Sequence, residues 1–290
     1  MKVICEPIKQ SQLNRFAAFL TEEIFARATD KNAVTYGACA DVNGAMEAVG
    51  VIQFMKPDTE KKGSIDNLRL NWLYVDEGFR RCKVGKTLLE FAIKTASDYN
   101  AFGITFSLYE YMLYDSKLSD VISFFESLGF EKKQSSDSVF YLNGRQVFDD
   151  EDFYIDEDSI SRGIISFSKL TPDMLSQASD EFSKINSDFY VRIMLRADRE
   201  LSFLYEKGTA VRGALITEKC GDTYYVRELF ADSEVAARDL GRVFLLGLKK
   251  KMLYSDSLVI RDVPKISSCM EEFIQGEHLQ QEIKLTYTFR

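Results

Sequence analysis

The chain repeats itself. Displaced by 156 residues, the distance from Gly85 to Gly241, Leu73 falls on Leu229, Asp76 on Asp232 and Leu89 on Leu245 without a gap. Tyr74, Val84 and Leu88 fall on Phe230, Leu240 and Phe244 in the same register. An offset of that size is a whole domain, and 290 residues hold two domains of ordinary size. Whatever the first half folds into, the second half must build as well.

The stretch that the repeat preserves is residues 70–96. Leu70, Trp72 and Tyr74 alternate with Asn71, Leu73 and Val75, which reads as a strand. Asp76-Glu77-Gly78 breaks it. Val84, Leu88, Phe91 and Thr95 then recur at helical spacing, with Leu89 and Ala92 widening the apolar stripe. Between strand and helix lies Arg80-Arg81-Cys82-Lys83-Val84-Gly85-Lys86-Thr87. The first N–H groups of a helix have no partner within it, and the helix dipole adds partial positive charge there. With Arg80, Arg81, Lys83 and Lys86 beside it, and Gly85 allowing close approach, this junction suits a diphosphate. The competing reading is a basic helix start that only meets water.

These residues resemble the GNAT family, the Gcn5-related acyltransferases that use acyl-CoA. The family's pyrophosphate loop reads Arg/Gln-x-x-Gly-x-Gly/Ala after a strand ending in Leu-x-Val. Leu73-Tyr74-Val75 matches the strand end, and Arg80 and Gly85 match the first and last loop positions. Lys83 stands where the family usually has its first glycine. A second segment, Val121-Ile-Ser-Phe-Phe-Glu-Ser-Leu-Gly-Phe130, is similar to the family's Ala-x-x-Phe-Tyr-Glu-x-Leu-Gly-Phe. The resemblance implies an α/β chain of two tandem GNAT-like mixed-sheet domains. The expected boundaries are an acyl-CoA-binding domain at 1–147, an acidic linker at 148–162 and a degenerate copy at 163–290. In the degenerate copy Ala236, Ala237 and Asp239 replace Arg80, Arg81 and Lys83, and an aspartate beside a diphosphate is repulsive.

The activity implied is N-acetyl (acyl) transfer from acetyl-CoA (acyl-CoA) as co-substrate to an amine of a small molecule or protein. The alternative is a non-catalytic acyl-CoA-binding or scaffold protein. The cofactor-binding set implied is Leu73, Tyr74, Val75, Arg80, Arg81, Cys82, Lys83, Val84, Gly85, Lys86 and Thr87. Side-chain catalysts are harder to find. Arg69 and Leu70 occupy the place of the family's frequent glutamate base, and Phe125 that of its tyrosine acid. Glu110, Tyr111 and Tyr114, just after the strand 101–108, are the candidate replacements, against the plainer reading of loop and packing residues. Glu228, in the second copy, is a further candidate base. Cys82 is a thiol in a cationic loop, and His278 is the one histidine. With no Cys/His or Ser/His constellation, direct transfer in a ternary complex is expected over an acyl-enzyme.

Along the first half the pattern predicts strands at 3–8, 33–42 and 45–55, with a turn at Asn43-Gly44 between the last two. A helix is predicted from Ser11 to about Phe25 and another from Ser119 or Asp120 to Leu128. Strands at 130–133 and 138–142 close the half. In the second half the pattern predicts strands at 164–167, 210–217, 223–230, 258–262 and 283–289, with a helix from Thr171-Pro172.

Composition narrows the remaining classes. Hydrophobic residues make up 46% and charged residues 28%, as in a soluble globular protein. Net charge is −8, and residues 149–158 alone hold seven acids and no base, so the acidity is one local segment. No nucleic-acid surface is expected. No apolar run approaches the roughly 18 residues of a membrane helix, and the N-terminus lacks a signal-peptide core. Five scattered cysteines and a single histidine argue against zinc and against a disulfide framework, so no metal is expected and a cytoplasmic location fits.

Overall fold

The computed structural model describes residues 2–28, 32–56, 67–113, 116–144, 148, 155–160, 162–183, 196–208, 210–261 and 279–289. The chain packs as two units, one of Met1–Ser135 with Glu282–Arg290, the other of Ser136–Gln281.

In the first unit the strands are β1 (Val3–Pro7), β2 (Ala33–Val42), β3 (Ala45–Met55), β4 (Leu68–Val75) and β5 (Gly103–Leu108). They are joined by the end of the chain's last strand, β12 (Leu279–Thr288), in the order β1-β2-β3-β4-β5-β12. All neighbours are antiparallel except β4 and β5. The Asn43-Gly44 turn forms as expected, with both residues left-handed. The expected helix 11–25 is instead a 3-10 segment, Gln10–Phe19, followed by α1 (Glu22–Arg27). Thr21 accounts for the break, since its side chain caps Ile24 N–H and Glu22 and Glu23 fill the new first turn.

Helices α2 (Val84–Asp98) and α3 (Leu118–Glu126) supply the main core of this unit. Val84, Leu88, Leu89 and Ala92 pack on Leu68, Leu70, Ile52 and Phe54, with Phe106, Phe125 and Leu285 beyond. On the other side, Ile24 of α1 packs with Val51 and Trp72, and the Trp72 indole donates to the Phe19 carbonyl at 2.8 Å.

The second unit repeats the plan. Its strands are β6 (Glu131–Asn143), β7 (Ile164–Ser166), β8 (Phe203–Lys207), β9 (Ala210–Cys220), β10 (Thr223–Ala231) and β11 (Ser257–Arg261). The order is β7-β8-β9-β10-β11-β6, with only β10 and β11 parallel. Helices α4 (Pro172–Ser183) and α5 (Glu234–Lys251) complete it. A matched pair of glycines confirms the correspondence. A Cβ on Gly50 would stand 2.9 Å from the Tyr74 carbonyl oxygen, and one on Gly213 would stand 2.8 Å from that of Phe230.

Three expectations are corrected. Residues 130–133 and 138–142 are not two strands. Only Phe130 lies outside the one strand β6, whose first residues belong to the first unit and whose 139–143 portion pairs with β11. The packed units therefore differ from segments 1–147 and 163–290, because each repeat gives its last strand to the other unit: β12 pairs with β5, and β6 with β11. Within the expected acidic linker, Phe148 and Ile155 are buried in the core of the second unit, so it is not simply a solvated connector. Strand β8 was not anticipated.

Candidate functional site

The site is organised by a bulge. Gln53 of β3 pairs with Trp72, but the next residue, Phe54, pairs with Leu70, so Asn71 is an extra residue in β4. The parallel pairing of β4 with β5 covers only Leu68, Leu70 and Arg69 between them. Beyond Leu70 the two strands part, and β4 runs on through Val75 with its β5 side unpaired among the described residues. Asp76 N–H donates to Val49 of β3 at 3.0 Å. Alternation along the strand then turns the backbone groups of Leu73 and Val75 away from β3, toward the opening.

The loop past the end of β4 is built around Arg80. Its Nε donates to the Val75 carbonyl at 3.3 Å, and its guanidinium lies 5.9 Å from the Tyr74 ring centre and 3.8 Å from Glu77. Asp76 accepts from Gly78 N–H at 2.9 Å and sets the preceding turn. Arg81 and Lys83 then take left-handed backbone conformations, φ 65 and φ 67. The family's usual glycine position is thus held by a lysine in the conformation that glycine favours. Such turns point successive N–H groups into one concavity.

The start of α2 completes the concavity. Its N-cap, Lys83, supplies no side-chain acceptor. Lys83 does accept from Thr87 N–H at 2.9 Å and from the Thr87 hydroxyl at 3.0 Å, which locks the first turn. The N–H groups of Val84, Gly85 and Lys86 precede that first helical bond, so they are the ones a helix leaves for an anion. Val84 is buried, whereas Cys82 and Lys83 are exposed. Arg81 is 90% exposed, 3.9 Å from Asp120 of α3, and Lys86 stands 3.7 Å from Glu90. A Cβ on Gly85 would meet Phe124 and Val75 only at 3.4 Å, so the fold itself leaves room there.

The proton-handling candidates fare less evenly. Glu110 is exposed and Tyr111 half-buried on a short 3-10 turn (Glu110–Met112) directly after β5, with Tyr111 stacked 5.8 Å from Tyr109. Tyr114 and His278 lie outside the described residues. Phe125 is 1% exposed, packed between Phe106, Phe124 and Phe130. Sequence reasoning missed Asn71 and Phe124. The first had no signal until β3 and β4 were aligned. The second, adjacent to Phe125 in the motif, is the ring nearest Gly85.

The second unit has the fork but not the cradle. β10 pairs with β11 only up to Val226, and Arg227 is the bulged residue, 156 positions after Asn71. Helix α5, however, begins at Glu234, six residues before Leu240, the position that matches Val84. Residues matching Arg80–Lys83 are wound into helix, Ala236 and Asp239 are buried, and Ser233 caps the Ala236 N–H. The missing basic residues were legible in the sequence, whereas the missing loop was not. Glu228 sits on β10 in this unit.

Residues 32–132 match the acetyltransferase (GNAT) domain family. No curated protein sequence matches the chain. Among solved structures, a tandem GNAT protein from the clavulanic acid biosynthesis pathway aligns over 99% of this chain and 98% of its own, with TM-score 0.69 and 11% identity. A Gcn5-related N-acetyltransferase from Sphaerobacter thermophilus aligns over 99% and 96%, with TM-score 0.57 and 11% identity. A fungal multi-domain beta-N-acetylglucosaminidase with a Gcn5-related glucosamine N-acetyltransferase region aligns over 99% of this chain and 38% of its own, with TM-score 0.61 and 12% identity. Residues 32–132 are thus similar to the GNAT acetyltransferase domain family, and the chain shares its fold with tandem GNAT proteins.

Proposed function

We propose that the first unit binds acyl-CoA, acetyl-CoA as the simplest case, and transfers the acyl group to an amine of a small molecule or protein. The observation that carries this reading is the pairing of an open β4 edge with an uncapped, left-handed helix entry at Arg81–Lys86. Backbone N–H groups of Val84, Gly85 and Lys86 would hold the diphosphate, since those of Cys82 and Thr87 already donate to the Phe79 and Lys83 carbonyls, with Arg80 fixing the loop and Arg81, Lys83 and Lys86 adding charge. Leu73 and Val75 would hold the pantetheine arm through their backbone. CoA brings the activated thioester. The neutral amine attacks its carbonyl carbon, the C–S bond breaks as the amide forms, and the thiolate takes up a proton. Proximity in the fork and N–H groups facing the carbonyl supply most of the acceleration. The amine's proton passes to water or to Glu110, so the rate rises with pH toward the acceptor's own pKa. The thiols of Cys5, Cys39 and Cys82 fit a reducing cytoplasm.

A second reading, an acyl-CoA-binding scaffold without turnover, is favoured by the burial of Phe125 where a tyrosine acid would stand. Calorimetry of the full chain with acetyl-CoA, joined to thiol-release assays over a broad amine panel, separates the two. One site per chain is expected, and Arg80→Glu should weaken it by about 1–3 kcal/mol. Two equal sites, or an unaffected Arg80→Glu, contradict the assignment. Tight binding with no amine acylated leaves the scaffold reading.

A further inference from the structure

Asn71 stands at the apex of the fork, one residue past Leu70, the last residue of β4 paired with β5. Its Nδ2 is buried and meets no acceptor among the described residues. Burying an unmet amide donor is costly, so its persistence calls for a partner that arrives with a ligand. Across the same bulge, Gln53 is fully buried, donates to the Ile24 carbonyl at 2.9 Å and to the Thr35 hydroxyl at 3.1 Å, and leaves its own Oε1 unmet. The step is polar on both strands without closing on itself.

The second unit provides an internal control. The residue in the place of Asn71 is Arg227, and there the position is filled from within. Arg227 donates to Glu218 at 2.6 Å and lies 4.3 Å from the Tyr225 ring centre. The unit without a cradle has satisfied its bulge. The unit with one has not.

We propose that the Asn71 side-chain amide holds the acyl carbonyl oxygen of the bound thioester, an assignment that rests on acyl-CoA binding in the first unit. A diphosphate at the start of α2 lies past the C-terminal end of β4. An extended arm leaving it along Val75 and Leu73 runs back down the strand at about 3.3 Å per residue and ends at the fork apex. The Leu70–Phe106 pairing closes the way beyond. The carbonyl is then the acceptor that Nδ2 lacks, and the bond strengthens as the oxygen becomes negative during attack.

The test is the carbon-13 resonance of [1-13C]acetyl-CoA bound to the full chain, compared between the unsubstituted protein and Asn71→Leu. Asn71→Asp, which keeps the shape but turns the donor into an acceptor, serves as the second variant and decides the matter if the leucine variant does not fold. Expected is a downfield displacement of the bound carbonyl that is more than halved in both variants, while CoA without an acyl group binds all three proteins alike. A carbonyl resonance indifferent to both substitutions overturns the assignment and leaves acyl-CoA binding standing. No bound signal in the unsubstituted protein overturns both.

Discussion

Leu285 belongs by sequence to the end of the second repeat, yet it should stabilise the first unit. It is fully buried, faces Phe106 across the β12–β5 ladder, and lies in the same apolar cluster as Leu68, Leu88 and Phe125. Leu285→Ala removes three heavy atoms from a packed site. The cost of such a truncation is about 2–5 kcal/mol, according to how far the surroundings collapse. If the first unit opens as a cooperative block, amide protection in its core should fall by about 30- to 4,000-fold. Hydrogen exchange read by mass spectrometry resolves where that loss appears. It should fall on β5 and α2, residues 103–108 and 84–98, and spare β11 and α5, residues 257–261 and 234–251. Leu142→Ala is the mirror experiment: encoded in the first repeat and 1% exposed, it lies in the core with Leu258 and Phe244 and should deprotect the second unit. Were Leu285→Ala to deprotect β11 and α5 while β5 kept its protection, the strand exchange would be wrong and each repeat would be closing on its own last strand.

Two further outcomes follow from local geometry. Lys83→Gly should be more stable than Lys83→Ala by about 0.5–1 kcal/mol in thermal or urea unfolding: the left-handed conformation costs an L-residue about 1–2 kcal/mol, and glycine returns about 0.5–1 kcal/mol to its freer unfolded chain. Equal stability would mean that position 83 is not held at positive φ. In the second unit, burial lowers the Lys219 ammonium, but the Tyr224 hydroxyl at 3.1 Å and the Asp256 carboxylate at 3.4 Å outweigh it, so its pKa lies above the ordinary 10.5. A raised folded-state value means stability that is present in full below 10.5 and lost as pH climbs through the folded value. Lys219→Met should therefore flatten the alkaline decline in melting temperature, and an unchanged decline would show that this contact is not coupled to folding.

Much of the candidate site could be read from residues alone, because its chemistry is local. A strand, a turn and an amphipathic helix are written in the alternation of Leu70–Val75, the break at Asp76–Gly78 and the spacing of Val84, Leu88 and Thr95, each governed by neighbours within one or two turns. Charge is equally local, so the loss of Arg80, Arg81 and Lys83 from the second copy was visible as Ala236, Ala237 and Asp239. What the residues could not disclose were facts about which strand lies beside which. Ile283, Leu285 and Tyr287 alternate as any half-buried strand does, and nothing in that period names β5 rather than β11 as the neighbour. The bulge at Asn71 exists only in the register of β3 on β4, and the longer start of α5 depends on Ser233 winning the cap over the residues nearer Leu240. Pairing and register depend on contacts between segments far apart in the chain. They were settled only when the whole sheet of each unit closed, and with them the unmet amide at the apex of the fork.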